Sequence, residues 1–119
     1  MTDCRLCAAP ALDEDEARLA RMIAFPQPQF PNHRVVMTRQ HHAHLGQVRP
    51  EEWAAVGTLI GRLSDRLREG EGAERAYVLA IGDADDHVCH FHVIPRTAED
   101  PLLGPHVFGP QGWNASRGG

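Results

Sequence analysis

The stretch His87-Val88-Cys89-His90-Phe91-His92-Val93-Ile94-Pro95-Arg96 decides how this chain is read. His90 and His92 alternate with apolar residues. On a β-strand both imidazoles therefore point to one face, and Phe91 and Val93 to the other. Two imidazoles side by side on a strand suit phosphate chemistry or a metal. Upstream, Ala76-Tyr77-Val78-Leu79-Ala80-Ile81 reads as a buried strand and Gly82-Asp83-Ala84-Asp85-Asp86 as a turn. Two strands joined by so short a turn are expected to pair antiparallel.

Further out, one helix dominates. Pro50 suits a first helical position and Gly70 a C-terminal stop. Between them Trp53, Val56, Leu59, Ile60, Leu63 and Leu67 recur at three- and four-residue steps, which predicts one apolar face, with Arg62, Asp65, Arg66 and Arg68 largely outside it. Arg21 to Phe25 and His33-Arg34-Val35-Val36-Met37-Thr38 are strand candidates, separated by Pro26-Gln27-Pro28-Gln29-Phe30-Pro31, which excludes helix and central strand. Asp13-Glu14-Asp15-Glu16 either opens a short helix through Arg18-Leu19-Ala20 or is a solvated charged stretch. Cys4 to Pro10 and the segment after Arg96 read as loops. The expected fold is α+β: an antiparallel sheet with the long helix packed on one face, and a short N-terminal helix.

The chain has 119 residues, enough for one core. A single domain over residues 1–113 is expected, with 114–119 as a flexible tail. Hydrophobic content of 42% and charged content of 24% mark a globular chain. A net charge of −4 argues against broad nucleic-acid binding, which needs a basic face, but not against a small nucleotide in a pocket. No apolar run approaches the ~20 residues that cross a bilayer. Met1-Thr2-Asp3-Cys4 lacks the basic-then-apolar form of a signal peptide, so a cytoplasmic location is expected. There, Asn114-Ala115-Ser116 has no meaning as a glycosylation pattern, and three cysteines suggest thiols or a metal rather than disulfides.

Val88-Cys89-His90-Phe91-His92-Val93-Ile94-Pro95-Arg96 resembles the signature of the histidine triad (HIT) family, His-φ-His-φ-His-φ-φ followed by Pro-Arg. Val88 stands where the first triad histidine is expected, and His87 lies one residue earlier. Asn32-His33-Arg34-Val35-Val36-Met37 is similar to the family's Gly-His-x-Leu-Val-Ile strand. Thr38-Arg39-Gln40-His41, with Glu51-Glu52 beyond, is similar to the Pro-Lys-x-His that precedes its long helix. The resemblance spans about Cys4 to Arg96. It implies a HIT-like fold and a nucleotide hydrolase that attacks the α-phosphorus of a nucleoside monophosphate conjugate. His90 would be the nucleophile, uncharged because an imidazolium has no lone pair to attack phosphorus. His92 and His33 would contact the α-phosphate, and His92 rather than Gln at the third triad position points to the hydrolase branches. The family's Gly-Gln-Ser/Thr phosphate contacts are replaced by Asp83, Asp85 and Asp86, which repel a polyphosphate. A bulge around Val88-Cys89 would turn His87 toward the face of His90.

Cys4 and Cys7 form a Cys-x₂-Cys pair, alone a weak zinc signal. Bacterial HIT proteins that resemble this pattern use it for structural zinc. The match implies His41 as third ligand, with His42 and His44 as rivals, and His87 as a substitute fourth. No cofactor is expected in catalysis. Cys89 reads as a small buried residue. Homodimerisation is implied by the resemblance, with Trp113 reaching either the neighbour or its own domain. Two other functions compete with the hydrolase: a HIT-like domain that binds a nucleotide or protein partner without turnover, favoured by Val88 and the acidic turn, and a hydrolase with zinc held by His90 and His92.

Overall fold

A computed structural model of the chain describes residues 5–80, 89–108 and 112. Its strands are β1 (Asp13–Glu14), β2 (Ala20–Ala24), β3 (Arg34–Thr38), β4 (Arg75–Leu79) and β5 (His90–Arg96). They form one antiparallel sheet in the order β1-β2-β3-β5-β4. The helices are α1 (Arg5–Ala8) and α2 (Pro50–Glu71), with 3₁₀ turns at Leu45–Gln47 and Gly104–Phe108. The strand pattern explains the order. The Val35-Val36-Met37 run of β3 is buried on both faces, as a central strand requires. Pro95 in β5 lies beyond Val93, where pairing with β3 ends, so on that side no ladder bond is lost for want of its N–H.

The two faces of the sheet are closed differently. Ala20, Met22, Val36 and Val93 pack on Ala55, Val56, Leu59, Leu63 and Leu67 of α2. On the opposite face Ile23, Val35 and Met37 lie under Leu6, and Ile94 lies under Phe30 and Val107. The chain segments before β1 and after β5 thus cover the two ends of the helix-free face, and the ground between them belongs to the histidines. Arg96 anchors the later segment: it is 3% exposed, its Nε donates to the Leu102 carbonyl (3.0 Å), and its guanidinium stacks 5.0 Å over Phe30.

Five expectations are corrected. The run read as a buried strand at 76–81 is β4, an edge strand with Arg75 and Val78 exposed. The acidic run forms β1 and a turn, not a helix. Asp15 turns its carboxylate inward to accept the N–H groups of Leu19 and Ala20 (both 2.8 Å), Arg18 takes a left-handed φ of 60°, and the chain reverses into β2. The short N-terminal helix is the single turn Arg5–Ala8, inside the stretch read as loop. Helix α2 passes Gly70 and stops at Gly72, whose φ of 68° suits glycine, with Ala73 N–H donating to the Leu67 carbonyl (3.2 Å). Its buried stripe is also rotated. Trp53 is 40% exposed, whereas Glu52 is 1% exposed.

Glu52 is buried because it has work there. Its carboxylate accepts the Arg49 N–H (2.8 Å) at the helix start and pairs with His42 Nε2 (2.9 and 3.0 Å). Those bonds outweigh burial, which alone would raise its pKa, and hold it below the usual glutamate value. Glu52→Ala removes a cap and leaves buried His42 without its acceptor, an expected loss of roughly 2–4 kcal/mol. Glu51→Ala, on the exposed side, should stay within about 0.5 kcal/mol. Denaturant unfolding of the two variants measures the difference.

Candidate active site

The register of the central strands assembles the site. In the β3–β5 ladder Met37 stands opposite His90 and Val35 opposite His92. His33 immediately precedes β3 and has the parity of Val35 and Met37. His33, His90 and His92 therefore meet on the face away from α2. They are 2, 3 and 3% exposed. His33 Nε2 lies 2.9 Å from His92 Nδ1, and the His90 and His92 rings are 5.1 Å apart at 77°. The Gln29 backbone N–H donates to His33 Nδ1 (3.2 Å). Phe25 stacks on His33 (4.7 Å, 30°) and meets His92 edge-on (4.9 Å, 87°).

This surrounding suppresses charge. Burial pushes the pKa of His33 down to about 4. Burial, helped by the neighbouring His33 and His90, pushes His92 to about 3. Both imidazoles are neutral at physiological pH and act as hydrogen-bonding groups, not as cations. Burial also drives the Cys89 thiol up to about 11, helped by the charge of Glu52. Cys89 is thus a protonated core residue facing away from thiolate chemistry.

The metal-ligand candidates divide. Cys7 Sγ lies 3.4 Å from His41 Nδ1. A tetrahedral zinc with its usual bond lengths separates a sulfur and a nitrogen ligand by roughly 3.5 Å, so this pair fits one edge of such a site. Arg21 fixes the Cys7 loop by donating to the carbonyls of Cys7 (3.1 Å) and Ala9. His42 is committed to Glu52, and His44 is exposed within the loop before α2. Cys4 and His87 lie outside the described residues, as do Val88 and its expected bulge, the acidic turn, Trp113 and the tail. Among the described residues no three His, Cys, Asp or Glu side chains group as a metal site.

Two participants were not foreseen. The sequence offers Phe25 only as the end of a strand, although a ring beside a proline-rich loop leading to His33 is a usable signal. The Gln29 contact is made by backbone and has no side-chain signature. The His42–Glu52 pair is equally hidden, since the sequence offers His42 only as a ligand candidate and Glu52 only as part of a motif.

The neutral histidines make stability depend on pH. The unfolded chain takes up protons at these positions below about pH 6.5, and the folded chain does not until about pH 4 and 3. Stability therefore falls as pH drops through that window. Between pH 6.5 and 5 the two sites should remove on the order of 2–4 kcal/mol. Glu52 contributes its loss at lower pH, where carboxylates titrate. His33→Asn should flatten the decline by about half in denaturant unfolding at pH 7, 6 and 5. An unchanged slope would contradict buried neutral histidines.

Comparison with known proteins agrees with this geometry. The family model described as HIT domain matches residues 11–99. A search of curated proteins returned no match. Among solved structures, a zinc-bound histidine triad family protein from Mycobacterium smegmatis is 26% identical, covers 85% of this chain and 80% of its own, and superposes with a TM-score of 0.70. A Hit-like protein involved in cell-cycle regulation from Bartonella henselae is 20% identical, covering 76% of this chain and 73% of its own, with a TM-score of 0.63. The diadenosine triphosphate hydrolase of Plasmodium falciparum is 17% identical, covers 72% of this chain and 61% of its own, and also has a TM-score of 0.63. With its histidines on the helix-free face of a five-stranded antiparallel sheet and one long helix behind, the chain belongs to the HIT domain family.

Proposed function

We propose that this protein is a nucleotide hydrolase that cleaves nucleoside monophosphate conjugates at the α-phosphorus. The observation that carries the reading is the adjacency of His90 and His92 on one buried face, with His92 hydrogen-bonded to His33. An unprotonated ring nitrogen of His90 attacks phosphorus. The bond from phosphorus to the leaving group breaks, and its electron pair departs with that group, which gains a proton. Water then attacks the nucleotidyl-histidine and gives up one proton, which replaces the one the leaving group took from solvent; the phosphorus–nitrogen bond breaks, and the lone pair returns to His90. His92 donates a hydrogen bond to the phosphoryl oxygen as charge accumulates on it. None of these steps uses a metal.

Wild type is expected to release nucleoside monophosphate from adenylated or guanylated amides, and folded His90→Ala to lose at least about a thousandfold in rate. The alternative is a domain that binds a nucleotide without turnover, favoured by Val88 in place of a triad histidine. Nucleotide binding without turnover, undisturbed by His90→Ala, would establish that alternative instead.

Zinc held by Cys4, Cys7, His41 and His87 is part of this proposal. The support is the Cys7–His41 edge and the zinc-bound relative. Zinc would tie the N-terminal segment to the start of the β3–α2 loop and serve stability, not chemistry. Metal analysis should find about one zinc per wild-type chain and little in Cys7→Ser. A zinc-free wild type would remove this part alone.

A homodimer is proposed on the part of the α2 side of the sheet that the helix does not cover, where Val78 shares the face of Val93. Helix α2 covers β2 and β3, but β4 lies at the sheet edge with Val78 45% exposed, and Trp53, 40% exposed, leans on Phe91 (6.0 Å). A second copy meeting this edge about a two-fold axis would cover both. Val78→Asp should convert the dimer to a monomer in sedimentation. A monomeric wild type at micromolar concentration would contradict the assembly.

A further inference from the structure

We propose that His33 is a positioning residue: taking its cue from the backbone N–H of Gln29, it locks His92 in the tautomer whose Nε2 carries the proton. The proposal deepens the hydrolase reading, since it rests on His92 being the group that meets the phosphoryl oxygen. It gives His33 a different part from the phosphate contact that the family resemblance implies.

The argument follows the direction of the hydrogen bonds. A backbone amide can only donate. Gln29 N–H points at His33 Nδ1 over 3.2 Å, so Nδ1 must present its lone pair. A neutral imidazole with a bare Nδ1 carries its proton on Nε2. His33 Nε2 is 2.9 Å from His92 Nδ1, a good N–H···N distance, so His33 donates and His92 Nδ1 accepts. The single proton of neutral His92 is then on Nε2. Each link leaves the next one choice.

The arrangement also excludes the cationic forms by geometry. A protonated His33 would turn an N–H toward the Gln29 N–H, and a protonated His92 would turn one toward His33 Nε2–H. Burial of both rings denies water the chance to repair either clash. Among the described residues, the titratable groups facing His92 include His33 and, 5.1 Å away on its own strand, His90. Phe25 contributes no charge and restrains both rings, stacked on one and edge-on to the other. The low pKa values of both histidines agree with this neutral chain.

The turn that supplies the cue is folded around His33. Phe25 N–H donates to the His33 carbonyl (3.1 Å), and His33 N–H to that of Phe30 (3.3 Å). Gln29 Nε2 donates to the Gln27 carbonyl (3.2 Å), and Asn32 takes a φ of 60°. Pro26, Pro28 and Pro31 limit the backbone freedom of the segment. A proline-rich loop that bears no catalytic side chain thus sets which nitrogen of His92 can donate.

The test is imidazole ¹H–¹⁵N correlation NMR on the ¹⁵N-labelled full chain between pH 8 and 5. Wild-type His33 and His92 should both show the Nε2-protonated pattern, without protonation in that range. His33→Phe keeps a ring but removes the donor, and His92 should then show mixed tautomers. His33→Gln places an amide N–H where Nε2 stood and should restore the wild-type pattern. Where turnover is measured, His33→Phe should lose roughly a hundredfold in kcat with little change in KM, and His33→Gln should recover most of it. Nδ1-protonated His92 in the wild type, or a His92 pattern unaltered in folded His33→Phe, would overturn the proposal. If His33→Phe does not fold, the wild-type spectrum decides. An inactive wild type with the expected tautomers would overturn the hydrolase reading and leave the tautomer lock standing.

Discussion

The pairing of β5 with β3, His90 opposite Met37 and His92 opposite Val35, is the constraint on which the molecule turns. Side chains alternate along a strand, so this register sends Phe91 and Val93 into contact with α2 and its core and His90 and His92 to the other face. A slip by one residue would exchange the two sets, placing imidazoles against Leu59 and Leu63 and Phe91 and Val93 in the site. The hydrophobic demand of the helix side thus specifies the position of the chemistry on the other. Helix α2 contributes no side chain to the three-histidine cluster, yet it holds the register that creates it.

Polar groups buried on that helix-free face need partners, and the sheet alone cannot provide them. The segments before β1 and after β5 exclude water from either end of the face through Leu6 on one side and Val107 on the other. The turn between β2 and β3 supplies an amide for His33. With those contacts two imidazoles remain neutral inside the fold, at the cost of stability in acid. Histidines held at fixed atoms in this way are what the proposed attack on phosphorus and release ask for. The Glu52–His42 pair plays a comparable part behind the sheet, holding the loop from β3 to the start of α2, so that His41 and not His42 stands beside Cys7.

Much of this was legible in the residues. Helix α2 is legible in its three- and four-residue steps and β5 in its two-residue alternation, β3 stands out as an apolar run, and the face shared by His90 and His92 follows from parity alone. Strand β1 did not, because two residues carry no period and the acidic run around it also suits a helix start. The carboxylate of Asp15, turned inward to cap the reversal, separates the two readings only in three dimensions. Size and apolar character assign Trp53 to the helix core by sequence. The position went to Glu52, whose burial is sustained by two specific hydrogen-bonding partners that no hydrophobic pattern reports. Backbone-mediated contacts, such as Gln29 to His33, leave no trace in composition or spacing. Among His41, His42 and His44, the choice was made by where the β3–α2 loop runs, a matter of packing.

The central claim is that His90 forms a bond to phosphorus. The most direct measurement is rapid acid-free quenching of the protein with an excess of a nucleotidyl conjugate, followed by intact mass and peptide mapping. The account expects a transient increase of one nucleoside monophosphate, carried by the peptide containing His90 and absent from folded His90→Ala. Turnover with no covalent species at any time, or an adduct on a residue other than His90, would contradict it.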